Sequence, residues 1–465
     1  MEKNSQGVPE FTAVSLLVNS RFKPEKSRLV AYSLLSQVNR EGAYANLRLP
    51  TLLNESSLDE RDRAFVTELS YGTLRMQGKY DALIALHSSR EFSRIEPEIV
   101  DVLRLGLHQL LGMRVPEHAA VSQTVELAKY VAGESTGTFV NAILRSVLRG
   151  DQLLTFSTES SRLAFEHAHP EWIVKSFYDL TQEWQRVEEI LLADNLPAAP
   201  HLVAWPGSST KSELLENGGE ELDGVPYGVI ASKPPHSYPA IRERRAGVQD
   251  RGSQIVSEIF LATASAKSST PLHWLDMCAG PGGKAAYLYH TLKETRPHDT
   301  FTANEISAHR AELVSQVVPG ELVRVGSGQE LVNESMVFDR IVIDAPCSGL
   351  GALRRRPESR WRRTLADLKE LVVIQRELLD AGVQILAEDG LIAYVTCSPH
   401  ISETKLQVAD FLYRHKDFEL VSAQDFLGLA PEDALQSDGT VQLWPDIHRT
   451  DAMFMALFRR RQQGS

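Results

Sequence analysis

Cysteine is scarce in this chain, with three in 465 residues. Cys278, Cys347 and Cys397 show neither a CxxC pair nor Cys/His ligand spacing. That argues against a disulfide framework and a zinc site, and it fits a reducing compartment where thiols stay free. No apolar run approaches the length of a membrane span, and the start, MEKNSQGVPEF, lacks the basic and apolar regions of a secretory signal. A cytoplasmic protein without membrane association is expected. Positive charge is also in short supply. The net charge of −12 counts against nucleic acid as a partner, because phosphate binding draws on clustered Lys and Arg, although clustering matters more than the sum. Internal repeats and low-complexity tracts are absent. With 43% hydrophobic and 24% charged residues the composition is globular, and the length calls for two or three domains.

The three cysteines that are present each sit in a motif: LDMCAGPGGK, DAPCSGLG and YVTCSP. Each follows an apolar run that reads as a strand (HWLDM, DRIVID, GLIAYVT). The thiols are therefore expected at the carboxyl ends of strands, where open α/β sheets bind ligands. Buried cysteine ordinarily behaves as a small hydrophobe that any core face accepts, and three such placements together are not explained that way.

Along the chain, residues 1–24 read as a mobile polar tail and 25–165 as an all-α domain. Ser57-Leu58-Asp59-Glu60 fits a capping box, and DVLRLGLHQLL, VSQTVELAKYV and FVNAILRSVLR carry apolar residues at helical spacing. Residues 166–245 are rich in turn signals (PAAP, PGSS, SKPPHSYP) and read as a small α+β connector. From 246 to 465 strand alternates with helix through WLDM, FTANE, LVRV, RIVID, LIAYVT and MFMALF. That rhythm predicts an α/β, Rossmann-like domain built on a mainly parallel sheet.

The turn Cys278-Ala279-Gly280-Pro281-Gly282-Gly283-Lys284 follows a strand and opens a helix. Its glycines let the backbone approach a ligand, and the helix amino terminus supplies free N–H groups, which suits a nucleotide-like cofactor. The spacing is neither GxGxxG nor a P-loop, since Ala285 follows Lys284, so ATP hydrolysis is not supported. Glu305 ends the next strand, where a carboxylate can accept both ribose hydroxyls. Between Arg354 and Arg363 lie six arginines, one acid (Glu358) and Trp361. Such a run is either a solvated face or, beside a reactive loop, the track for a polyanionic strand.

Together, DMCAGPGGK, DAPCSGLG with RRRPESRW, and YVTCSP resemble the S-adenosylmethionine-dependent RNA cytosine-5 methyltransferases. The helical half resembles the NusB-like domain of their RsmB (Sun) branch, with FVNAILR and HPEW as supporting motifs. The resemblance spans about residues 25–460. It implies an enzyme acting on RNA, with small-subunit ribosomal RNA as the expected partner, and as a monomer without metal. Carbon 5 of cytosine is a poor nucleophile until a thiolate adds at carbon 6. The family pattern places that nucleophile at Cys397. It makes Asp344 the acid on the cytosine edge, Cys347 the group assisting product release, and Lys284 a charge that either stabilises the site or orients Asp344. Cys278 to Lys284 would wrap the cofactor's methionine part, Glu305 its ribose, and Asp344 would border the pocket; Cys278 contributes backbone alone. Arg354, Arg355, Arg356 and Arg360 would meet RNA. Two departures stand out. Where the family has an acid for the adenine amino group this chain has Ser327, with Glu330 as a substitute, and after TCSP only Glu403 remains of a Glu-Asn-Glu pattern. Three rivals are weighed. A DNA cytosine-5 methyltransferase would use Pro346-Cys347 and leave Cys397 idle. A NusB-like adaptor with a degenerate catalytic domain need not bind the cofactor. The substrate of the same chemistry could also be tRNA or another RNA.

Overall fold

Residues 99 to 109 are buried without a break, so the helix carrying them has no solvated face and must lie inside a bundle. The computed structural model describes residues 21–150, 154–264, 270–428 and 430–462, and up to residue 20 the tail read at 1–24 lies outside the described residues. The chain divides into two units between His169 and Pro170. The first contains α1 (Lys26–Arg40), α2 (Ala45–Glu55), α3 (Glu60–Arg75), α4 (Gln77–His87), the central α5 (Pro97–Leu111), α6 (Glu117–Ala132), α7 (Thr136–Arg149) and α8 (Glu159–Glu166). Helices α1, α3, α4, α6 and α7 pack on α5. Its buried Arg104 reaches both oxygens of Asp81 at 2.6 and 2.7 Å and Asp101 at 3.0 Å, so its charge is met inside the bundle.

Two local expectations need correction. The cap of α3 is Asp59, whose carboxylate accepts the Asp62 N–H at 2.8 Å; the hydroxyl of Ser57 instead accepts from Lys26. In place of the capping box read at Ser57 there is a single N-cap bond two residues further on, because the acid is the side chain that reaches the free N–H of the first turn. The chain also joins the helical unit earlier than residue 25. Phe22 is buried and the Lys23 N–H donates to Glu126 at 3.2 Å.

The second unit opens with α9 (Glu171–Thr181) and α10 (Trp184–Asp194). They lead into β1 (His201–Ala204), α11 (Lys211–Glu216), β2 (Gly219–Glu221), β3 (Gly228–Ala231), α12 (Pro239–Arg242) and β4 (Ala246–Val248). The strands form an antiparallel sheet in the order β2-β3-β1-β4, the α+β connector that the turn signals predict. Then come α13 (Arg251–Ala262), β5 (His273–Asp276), α14 (Gly283–Thr295), β6 (Thr300–Glu305), α15 (Ala308–Val314), β7 (Val323–Val325) and β8 (Phe338–Asp344). The chain closes with α16 (Ser359–Arg362), α17 (Leu365–Ile385), β9 (Leu386–Thr396), α18 (Lys405–Arg414), β10 (Phe418–Val421), β11 (Val441–Gln442), α19 (Pro445–His448) and β12 (Phe454–Arg460).

The main sheet runs β10-β12-β9-β8-β5-β6-β7, with β11 on β12. From β9 to β7 every pair is parallel, while β12 is antiparallel to its neighbours. Ile255 and Ile259 of α13 and Leu288 and Leu292 of α14 cover one face; Leu378 and Leu379 of α17 and Phe411 of α18 cover the other. Strand order reverses between β5 and β8. In a doubly wound sheet that reversal splays the following loops apart and opens a crevice at the carboxyl ends.

Candidate active site

The turn after β5 borders that crevice. Gly282 has φ +111°, a conformation that L side chains rarely adopt, and a Cβ on Gly280 would lie 2.3 Å from Glu305 Oε2. These two positions therefore require glycine. A Cβ at Gly283, the first residue of α14, would meet nothing within 4 Å, so the helix start faces open space. Glu305 is buried and holds the turn from below: Oε2 accepts the Gly280 N–H at 3.0 Å and Oε1 the Ser307 N–H at 2.8 Å, with Arg310 paired at 2.6 Å. A carboxylate has about four acceptor positions, so this one keeps capacity for a further donor. Ser327 lies beyond β7, its hydroxyl bonded to Gln329 Oε1 at 2.5 Å and accepting the Gln329 N–H at 3.2 Å; Glu330 is exposed. Two neighbours escaped the sequence reading. Ile306 and Val325 are exposed apolar side chains beside Glu305, Val325 being its strand partner, and apolar residues directly after strand-end polar ones were the available signal.

Across the reversal, Lys284 Nζ donates to Asp344 Oδ2 at 2.8 Å. Burial works against the lysine charge, but Asp344 holds its pKa above the ordinary value. Asp276, at the end of β5, is fully buried, and its Oδ2 has no hydrogen-bond partner among the described residues. Burial pushes its pKa up to about 7; the Asp344 charge adds to the rise and Lys284 opposes it.

All three cysteines are free and partly exposed. Cys347 follows β8, Cys397 follows β9, and the two thiols interact with each other. Register brings them together, since Asp344 faces Val395 across parallel β8 and β9. The Gly351 N–H then donates to the Cys397 carbonyl at 3.0 Å, and the Ala452 N–H to Gly351 O at 2.9 Å. The electrostatic surroundings of the pair differ. Lys284 and Arg355 both interact with Cys397, whereas Glu403 and Asp344 bear on Cys347. The Cys347 thiol is pushed well up, first by its interaction with Cys397, then by burial and these charges. Cys278 stands apart from them. Burial and then Asp276, Asp344 and Glu305 push its thiol well up, which disfavours the thiolate there.

The arginine run requires the main correction. Arg360 is fully buried, donating to Asn195 Oδ1 at 2.8 Å and to the Asp194 carbonyl at 2.9 Å, so it ties α16 to the end of α10 and does not reach a phosphate. Arg355 binds Asp451 through both carboxylate oxygens, with Nε to Oδ1 at 2.9 Å. Arg354 reaches Asp250 at 3.4 Å and the Arg449 carbonyl at 3.0 Å. Buried carboxylates far away in sequence draw these charges inward. Arg356 and Arg363 are exposed.

A parallel sheet with a glycine-rich turn, a strand-end acid and two paired thiols describes a group-transfer enzyme of the methyltransferase class. Comparison with known proteins gives the family. Residues 265–459 match the model of the 16S rRNA methyltransferase RsmB/F family, and residues 25–149 that of the NusB family. The putative methyltransferase Rv1407 of Mycobacterium tuberculosis is 42% identical over 451 residues, covering 94% of this chain and 97% of that protein. The ribosomal RNA small subunit methyltransferase B of Vibrio cholerae is 30% identical, covering 85% and 91%. In fold, the crystal structure of PH0851 superposes with a TM-score of 0.76 at 19% identity over 93% of this chain and 97% of that one. The chain belongs to the RsmB/F family of RNA methyltransferases.

Proposed function

We propose that this enzyme methylates carbon 5 of a cytosine in 16S ribosomal RNA, with S-adenosylmethionine as donor and through a covalent bond from Cys397 to carbon 6. The observation carrying this reading is the pair of free, partly exposed thiols at the ends of adjacent parallel strands, beside the Lys284–Asp344 pair. A single-thiol mechanism has no use for the second cysteine. The printed names of the relatives supply the RNA.

The donor fits the crevice residue by residue. Cys278 to Lys284 would cradle its methionine part at the open helix start, Glu305 would take a ribose hydroxyl on its remaining acceptor position, and Ile306 and Val325 would wall the adenine with Ser327 at its edge. When bound, S-adenosylmethionine supplies an electrophilic methyl group on its sulfonium. The protein's own part begins at Cys397, with which the Lys284 and Arg355 side chains interact. Its sulfur bonds to carbon 6, and the electron pair released from the 5,6 double bond makes carbon 5 a nucleophile. Asp344, held by Lys284, hydrogen-bonds the cytosine edge and stabilises the charge that moves onto the ring. Once carbon 5 carries its methyl group its proton passes to a base, water or the Cys347 sulfur; the electron pair of that carbon–hydrogen bond restores the 5,6 double bond as the carbon–sulfur bond breaks and its pair returns to Cys397. Cys347 would assist that departure. Arg356 and Arg363 would meet the RNA backbone.

Incubating the protein with 16S rRNA and the donor, then bisulfite sequencing, tests the reading: a single cytosine protected from conversion is expected. Methyl incorporation with every cytosine still converted would place the chemistry on another atom.

A further inference from the structure

One buried carboxylate beside the thiols takes no part in the steps above. Glu403 is fully buried in the short turn after the Cys397 loop. Its Oε1 accepts the Ser348 N–H at 2.8 Å and Gln375 Nε2 at 3.0 Å, and Oε2 accepts the Ser348 hydroxyl at 2.5 Å. Ser348 directly follows Cys347. Gln375 Nε2 also meets the carbonyl of Pro346, directly before Cys347, at 2.9 Å. Both flanks of Cys347 are therefore tied, one to Glu403 and the other to the glutamine that Glu403 holds. On the opposite loop, Ser398 follows Cys397. Its hydroxyl lies 3.0 Å from that of Ser348 and accepts the His400 N–H at 3.1 Å. The Tyr394 hydroxyl closes the network, 2.9 Å from the Glu403 carbonyl and 3.0 Å from Gln375 Oε1. Neutral donors converging on both carboxylate oxygens suit an anion, which is an acceptor only.

We propose that Glu403 is a positioning residue acting through Cys347: its carboxylate clamps the Cys347 loop to the loop after Cys397 and sets an acidic group beside Cys347, so that the two thiols are not equivalent and Cys397 is left as the nucleophile. The proposal rests on the covalent reading of the preceding subsection. Its geometric half follows from the bonds to Ser348 and Gln375. Its electrostatic half follows from the division of charge, with Glu403 and Asp344 bearing on Cys347 and Lys284 and Arg355 interacting with Cys397. Two adjacent thiols of equal acidity would compete for the same proton and the same carbon. An anion beside one of them removes that competition.

The test uses the full-length protein with Glu403→Ala and Glu403→Gln, and Cys347→Ala for reference. Enzyme, 16S rRNA and donor are mixed and resolved on a denaturing gel. Separately, the free proteins are treated with iodoacetamide and alkylation of Cys347 and Cys397 is followed by peptide mass. Glu403→Ala should retain RNA in a denaturation-resistant complex as Cys347→Ala does, with turnover lowered about 100-fold, the loss expected when a reacting group is misplaced by about 1 Å. Glu403→Gln preserves shape and bonding, so most turnover should return; Cys347 should nevertheless alkylate faster relative to Cys397, by about tenfold for each unit its pKa falls. A purely structural role would leave that ratio unchanged, and an unchanged ratio in Glu403→Gln overturns the proposal. So does a folded Glu403→Ala enzyme that traps no RNA while Cys347→Ala does. If Glu403→Ala fails to fold, the ratio in Glu403→Gln decides alone. If Cys347→Ala itself traps nothing, the covalent reading fails, and the same ratio still judges Glu403.

Discussion

Asp276 holds a carboxyl group where the fold offers least support for its charge, buried with one oxygen unpartnered among the described residues and with Asp344 nearby. Its pKa rises from 3.8 to about 7. Between those values the folded chain retains a proton that the unfolded chain has released, so this group's contribution to stability falls as pH rises from about 4 to about 7 and stays low above that. Asp276→Asn should therefore melt higher than the parent at pH 8, by on the order of 2–4 kcal/mol of stability, with the difference vanishing near pH 4. Thermal unfolding at both pH values checks this; a variant less stable at pH 8 would mean that the ionised carboxylate is favoured where it lies. At this scale the sequence was informative for rare residues. Cys347 and Cys397 stood out because the chain has three cysteines and each ends an apolar run. Nothing local marked Asp276 as orphaned, and the motif after Cys397 marked Glu403 only as a structural anchor without giving its partners, because burial and partners come from strands and helices distant in sequence. The repeated Cys-Ser dipeptide in both loops was a signal for the Ser348–Ser398 contact.

Among the elements, the short α16 shows how charge density misleads. Its Arg360 reads as an RNA contact, yet its guanidinium is buried against Asn195 and the Asp194 carbonyl. Arg360→Ala should cost about 3–5 kcal/mol of stability, the range for removing one partner of a buried charged interaction, and leave the salt dependence of RNA binding unchanged. The exposed Arg356, replaced by alanine, should reduce the slope of log affinity against log salt by about one unit with little loss of stability. Denaturant unfolding and a salt series of RNA binding separate the two; a flattened slope for Arg360→Ala would return it to the interface. Strands β5 to β9 and β12 of the main sheet were legible as brief, mostly apolar runs, whereas the short β10 and β11 were not read. Helix α17 was not legible either, since the run Leu371-Val-Val-Ile374 in its middle leaves Val373 and Ile374 exposed and blurs the helical period. The cap of α3 shifted from Ser57 to Asp59 because several oxygen-bearing side chains precede that helix and only geometry selects among them.

For the whole molecule, the division into a helical unit and an α/β unit followed from periodicity alone, as did the predominance of parallel strands. Strand order did not. β12 enters between β10 and β9 and runs against both, and no local pattern encodes that pairing. The same long-range closure brings Asp451, just before β12, onto Arg355 and Asp250, and so sets a cation close to Cys397 from a segment two hundred residues beyond the connector. The central claim is that the two thiols divide the work, with Cys397 forming the bond to RNA and Cys347 assisting its release. The most direct measurement incubates full-length Cys397→Ala and Cys347→Ala with 16S rRNA and S-adenosylmethionine and resolves each on a denaturing gel. Both should lose turnover; Cys347→Ala should retain RNA in a complex that survives denaturation, and Cys397→Ala should retain none. A complex formed by Cys397→Ala and absent from Cys347→Ala would make Cys347 the nucleophile and contradict the account.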